Sequence, residues 1–331
     1  MVRNHPIVIE DYYKAVRDSL LNLEKKINED ILFGIQFPPG SFDLPSAADE
    51  SNDMTTPGFG LFSPHADTRS EQPTPAAFFL EELCKLKVIC ERRGDTIVWN
   101  HVALNKWLLA ISAAWSDALV LMHLLALPAR GTEMVIWQHA NSIDILRHLF
   151  FSRTLNTLVT QGNYNKTTAA TGLYRYIVRP IPPFLSVLLT KLLRIIRPVE
   201  AFAFASQVAE SNRDHVRQTY ATYMFVSNGK VWDSGKLSAA LKTWFMDRLQ
   251  APFGLGLHRH FAQALQRKFI GAEKGDPMEN AANQGFGHGQ EVAGLNYARE
   301  SGDLNVDATA REMMERAGIK WIKMHGVAVS L

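Results

Sequence analysis

Four short stretches of this 331-residue chain hold side chains whose types and spacing suit chemistry at an anion. In "ALPARGTEM", Arg130 precedes Glu133 by three residues, just after the helix-ending Pro128. In "QGNYNKTT", Lys166 stands among turn residues, from which a lysine can reach into a site and donate a proton. In "GLGLHRHFAQALQRKF", Arg259 lies between His258 and His260 at a helix start, where exposed N–H groups and a guanidinium both favour phosphate. In "GFGHGQEVAGLNYARE", His288 stands nine positions ahead of Tyr297, a proton donor and a nucleophile if both meet one reacting atom.

Each stretch also has a plainer reading. Glu133 in a first helical turn is favourable to the helix dipole, with Arg130 solvated beside it. Lys166 keeps a turn soluble, the His-Arg-His run caps a surface helix, and Tyr297 is a partly buried packing residue. His288 and Tyr297 converge only if His288 sits in the turn before the helix.

The elements that would position these residues are mostly helical. Residues 8–33 carry apolar positions at helical spacing, and helical patterning returns at "AAFFLEELCKLKVICERR". A long helix is expected from about Asn100 to Leu127, closed by Pro128. Later helices are expected at 236–249, 258–270, 287–299 and 306–318, the second burying Phe261, Ala262, Leu265 and Phe269. Between them "LFFSRTLNTLVT" and "LYRYIVRPIPP" flank the polar "QGNYNKTTAATG", a β-hairpin or small sheet with Lys166 at its tip, and "TYATYMFVS" reads as a further strand. The expected class is mainly α with a small inserted antiparallel sheet. The expected organisation is a helix over 1–35, a loop or disordered linker over 36–76, a helical segment over 77–100 and a larger domain over 101–331.

Composition is that of a folded globular chain, with 47% hydrophobic and 21% charged residues. The net charge of +2 neither demands nor excludes nucleic acid, but Arg and Lys recur through 175–197 and 258–268, so the second half offers the more basic surface. Cys84 and Cys90 lack partners at metal-ligand spacing, and neither a disulfide framework nor a metal site is expected. The longest apolar runs are broken by Asp117, Lys191 and Arg194, which reads as buried core helices and no membrane insertion. The N-terminal stretch has no signal-peptide core, and an intracellular location is expected.

Taken in order, the set resembles the catalytic domain of the tyrosine recombinases, the phage-integrase-like site-specific recombinases. That family carries an arginine and a glutamate three residues later, a lysine on a β-hairpin, a His-x-x-Arg motif opening a helix, and a Gly-His pair nine residues before the nucleophilic tyrosine. Arg130 and Glu133, Lys166, Arg259, and Gly287, His288 and Tyr297 match these in turn, over roughly residues 100–300. The "LPARGTE" and "YNKT" wording is similar to eukaryotic, fungal, mobile-element-derived members such as cryptons. One position departs: the histidine of His-x-x-Arg would fall at 256, where the chain has Gly256, with His258 and His260 nearby as geometric substitutes.

The resemblance implies DNA breaking and rejoining without a cofactor or metal. Tyr297 would attack a phosphodiester to give a 3′-phosphotyrosyl bond, with Arg130, Arg259 and His288 on the phosphorane and Lys166 protonating the leaving 5′-oxygen. Glu133 and His260 would support the site. Double-stranded DNA would be the partner, bound through phosphate contacts near Arg175, Arg179, Lys191, Arg194, Arg197 and Lys268, with a DNA-bound tetramer if active and a nuclear location. A second reading keeps the fold and the DNA binding without cleavage, favoured by Gly256 and the short N-terminal region. A third, an unrelated helical interaction protein, would leave the five site residues scattered.

Overall fold

Asn100 starts the central helix by accepting the Ala103 N–H on its side chain, and the helix runs over His101–Leu125. In the computed structural model, which describes residues 7–43, 56–62, 73–162, 177–270 and 308–329, this helix forms the axis of the core. It is numbered α3, after α1 (Ile9–Lys25, extended by a π-helical turn Lys26–Ile31) and α2 (Pro75–Leu86). It is the one described helix long and apolar enough to cross a membrane, and 67% of its apolar window is buried within the protein. Trp107, Ile111, Trp115, Ala118 and Leu121 through Leu125 are enclosed by neighbouring helices, so almost every side of its C-terminal half is apolar.

Around α3 lie α1, α5 (Pro183–Thr190) and α8 (Ser234–Leu249). The helix α5 continues through a π-helical turn, Lys191–Ile196, into α6 (Arg197–Ala205), which packs on α7 (Glu210–Thr222). Then come α9 (Leu255–Leu265), extended by a π-helical turn Gln266–Ile270, and α10 (Ala308–Met324). The short α4 (Gly131–Met134) follows α3. The class is α+β: helices dominate, and the sheets are small and antiparallel.

The largest sheet is a meander of β3 (Leu149–Ser152), β4 (Thr157–Gly162) and β5 (Ile177–Pro180), with Leu149 opposite Thr160 and Thr160 opposite Arg179. Its two faces are both covered, as period-2 alternation requires. Leu149, Phe151 and Leu158 join the main core, while Phe150, Val159 and Val178 meet Met314 and Ala317 of α10. The approach of α10 is close enough that a Cβ on Gly318 would meet the Pro180 ring, at 2.7 Å from Cγ.

Three expectations change. The stretch 88–99 is a hairpin, β1 (Cys90–Arg93) with β2 (Thr96–Trp99), because α2 ends at the left-handed Lys87 and Gly94 turns the chain with a φ of 58°. The region "TYATYMFVS" is mostly the end of α7, with only Val226–Ser227 in a strand (β6), paired to Lys230–Val231 (β7). The described parts of 36–74 are irregular but packed, and α2 already begins at Pro75: Phe59 and Leu61 are buried, Gly60 bridges Ala140, and Phe37 sits against Phe42, Phe78 and Phe79. Residues from α1, α2 and α3 onward share one apolar cluster. Cys84 and Cys90 are free and buried with sulfurs 3.6 Å apart, and burial pushes the Cys90 thiol up to about 12. The helix expected over 287–299 lies outside the described residues.

Candidate functional site

The turn after α3 aims Arg130 by three local restraints. Leu127 takes a left-handed conformation with a φ of 53°, Pro128 prevents the helix continuing, and the Arg130 carbonyl accepts from the Glu133 and Met134 N–H groups at 3.0 and 2.9 Å. Glu133 closes the loop by accepting the Arg130 backbone N–H on Oε2 at 3.4 Å. Gly131 then lies directly against the first residue of α9, since a Cβ there would stand 2.7 Å from Leu255 Cδ1. Arg259 is one turn beyond Leu255 on the same face of α9, so the starts of α4 and α9 bring the two arginines together.

A third guanidinium completes the group. Arg179, on β5 and pointing toward the main core by strand alternation, donates from Nη1 and Nη2 to the two Glu133 oxygens at 2.5 and 3.2 Å. This pair is enclosed, with side-chain exposures of 1% and 4%. Arg259 is partly buried, and burial holds its guanidinium down to about 10, helped by the like charges of Arg130 and Arg179 and opposed by Glu133. Three guanidiniums and the Glu133 carboxylate therefore share one neighbourhood.

The histidines beside Arg259 point in opposite directions. His258 is fully buried, with its ring centroid 4.9 Å from His123 of α3 and 5.3 Å from Phe245 of α8. Burial, with the neighbouring His123, His325 and Arg259, keeps it well below the usual histidine range, and none of the four nitrogens of His123 and His258 has a partner among the described residues. His258 is thus a core residue and does not reach the site in the motif histidine's place. His260 is exposed on the other side of α9, and Gly256 is exposed with nothing within 4 Å of where its Cβ would stand.

The surface expected to contact phosphates is also revised. Arg179, Lys191, Arg194 and Arg197 are all buried. Lys191 donates to Asn28 Oδ1 at 2.8 Å, Arg194 to the Ser41 carbonyl at 3.2 Å, and Arg197 to Glu200 and the Met224 carbonyl at 3.1 and 2.6 Å. Each therefore has internal hydrogen-bond partners, as buried charged groups need. Lys268 is exposed beside Arg267, its Nζ 5.2 Å from the Phe269 ring centroid. Phe269 itself is 47% exposed rather than buried, because the π-helical turn shifts the period of α9 after Leu265. Lys166, Arg175, His288 and Tyr297 lie outside the described residues.

The structure therefore brings Arg130, Glu133 and Arg259 together, buries His258 against His123 in the core, leaves His260 exposed, and adds Arg179 as an internal member. Its strand position offered no signal of that role. Comparisons with protein-family models, with curated proteins and with solved structures return no match.

Proposed function

We propose that this protein is a tyrosine-recombinase-like DNA strand transferase. The observation that supports the reading is the meeting of Arg130 and Arg259, from distant parts of the chain, at adjoining helix starts beside Glu133. Two guanidinium forks can each hold a non-bridging phosphate oxygen, and the charge that develops on a phosphorane is what they would stabilise most. Tyr297 Oη would form the new bond to phosphorus as the bond to the 5′-oxygen breaks, with Lys166 giving that oxygen a proton and His288 donating to the phosphoryl group. Reversal by a second 5′-hydroxyl conserves the phosphoester, so no nucleotide is consumed.

A second reading, a DNA-binding protein that no longer cleaves, is favoured by Gly256, which leaves the first motif position without an imidazole, and by the burial of His258. Both readings are tested with nicked duplexes from a randomised pool, the wild-type chain and Tyr297→Phe, with covalent adducts read on a denaturing gel. The recombinase reading expects an adduct that Tyr297→Phe abolishes. Retention of DNA without an adduct in either protein supports the binding-only reading, and no retention counts against both.

Gly256→His separates them further. The open space there admits a side chain, and replacing glycine by histidine in the first turn changes stability by only about a few tenths of a kcal/mol. A rise in adduct yield in Gly256→His is expected if an imidazole at 256 is the missing donor; an unchanged yield removes the argument from that position.

A further inference from the structure

Cys84 and Cys90 are the only two cysteines of the chain, and the fold places their sulfurs 3.6 Å apart. Cys84 lies in the last turn of α2 and Cys90 opens β1, while Lys85 to Val88 between them are exposed around the left-handed Lys87. A second pair, Glu81 with Arg92, joins the same two elements on the solvent side. Glu81 precedes Cys84 by one helical turn, and Arg92 lies two residues after Cys90 on the same face of β1, so the ion pair and the sulfur pair set one register. The closeness of the sulfurs is therefore built into the docking of β1 on α2.

We propose that Cys84 and Cys90 are a modification site, closing under oxidant to an intramolecular disulfide that braces α2 against the β1–β2 hairpin. This inference is independent of the recombinase reading. A disulfide needs two sulfurs and a further approach to about 2.05 Å. A structural metal needs about four ligands, and among the described residues no third His, Cys, Asp or Glu joins the pair. With hydrogen peroxide as the oxidant the step balances. One thiol becomes a sulfenic acid with release of a water; the other sulfur then attacks it, the S–S bond forms as the S–O bond breaks, and the hydroxyl leaves as a second water with the attacking thiol's proton. Burial of both sulfurs, which also keeps the proton on Cys90, makes the pair slow to react until the exposed turn opens. The bond acts beyond that turn. Cys90 is the strand partner of Trp99, whose ring lies 5.9 Å from Phe202 of α6, and the next residue, Asn100, caps α3 and donates its N–H to the Ile89 carbonyl at 2.9 Å. A brace on Cys90 steadies the entry to the central helix.

The test treats the reduced full chain with hydrogen peroxide and, separately, with a buffer of reduced and oxidised glutathione. Trypsin cuts after Lys85 and Lys87, so the two cysteines fall on separate peptides. The expected result is an intact mass lower by two hydrogens, a linked pair of those peptides, and reversal by dithiothreitol. A bond that braces the fold is held by the fold in equal measure, so its equilibrium constant against glutathione is expected to be about tenfold larger in the folded chain than in urea, and the oxidised protein to melt higher. C84S and C90S, shown to be folded by circular dichroism, are expected to form no disulfide and to gain no thermal stability from oxidant. If neither variant folds, the wild-type peptide map and the glutathione equilibrium decide. The proposal is overturned if both thiols of the folded chain stay free or end capped by glutathione, if peroxide carries one sulfur to a sulfinic acid beside an intact second thiol, or if the sulfurs pair between two chains. A folded-state constant no larger than that in urea, or a C84S variant that gains as much stability on oxidation as the wild type, overturns it equally.

Discussion

On the proposed strand-transferase reading, Arg130→Ala and Arg259→Ala are each expected to slow covalent adduct formation by about 10²–10³-fold, the loss typical of removing one preorganised donor from a developing oxyanion. DNA retention is expected to fall much less, because each lost phosphate contact lowers the salt slope by only about 1. The asymmetry arises because a guanidinium beside a singly charged diester becomes more valuable as the phosphorane gains charge. Arg259→Lys recovers little, since an ammonium cannot make the planar two-point contact. Single-turnover time courses on nicked duplex, paired with binding isotherms at two salt concentrations, provide the measurement. Loss of binding and of adduct rate in equal proportion would make these arginines general DNA contacts and remove their place in the chemistry.

Acid is expected to destabilise the protein as pH falls from about 6.5 to about 4, a window set by its buried histidines. Burial is the first cause at each, lowering His123 to about 3 and His139, His148 and His325 to about 4 from an ordinary 6.5, with His258 also well below. Arg259 and Arg179 add to the effect at His123, and Arg197 at His139. At His148 a hydrogen bond also favours the neutral form, since Nδ1 accepts the Gln138 N–H at 3.2 Å. At His325 the Trp321 carbonyl, 2.9 Å from Nδ1, favours the charged ring and opposes burial, while the Tyr12 hydroxyl lies 3.1 Å from Nε2.

A lowered folded pKa contributes stability above the unfolded value, here 6.5, and that stability is lost as pH falls through the folded one. Glu200 has the opposite sign. Burial raises it to about 7 against the pull of Arg197, so its contribution is present below its ordinary 4.5 and lost as pH rises through about 7. One carboxyl offsets only part of five imidazoles. The net direction is a loss of stability in acid, and a typical domain has only about 5–15 kcal/mol in all to lose. Far-ultraviolet circular dichroism and tryptophan fluorescence against pH measure it. A native spectrum retained at pH 4 would contradict the burial assigned to these rings.

The elements were more legible than their insides. Asn100 and Pro128 bracket α3 because a capping side chain and a missing N–H act locally, and the Gly94-Asp95 turn between β-rich flanks was a readable hairpin signal. His258, Phe261, Ala262 and Leu265 follow the i, i+3, i+4, i+7 pattern, so the inward turn of His258 was available from spacing alone. Arg197 has its carboxylate three residues away and could have been read as paired. Arg179 could not, because its partner Glu133 lies 46 residues away, and Lys191 meets Asn28 across 163. A run of basic residues looks the same in sequence whether it faces solvent or supplies internal counter-charges, and only tertiary packing separates the two.

The hydrogen bond between Tyr12 and His325 joins residues 313 apart, and the Trp321 indole donates to the Leu124 carbonyl at 2.8 Å across 197. The first helix and α10 thus depend on each other across most of the described chain, and α10 also covers one face of the β3–β5 meander. Contacts of such separation must pay for loop closure before they form, so this fold is expected to assemble slowly and to leave apolar surface open to chaperone capture while it does.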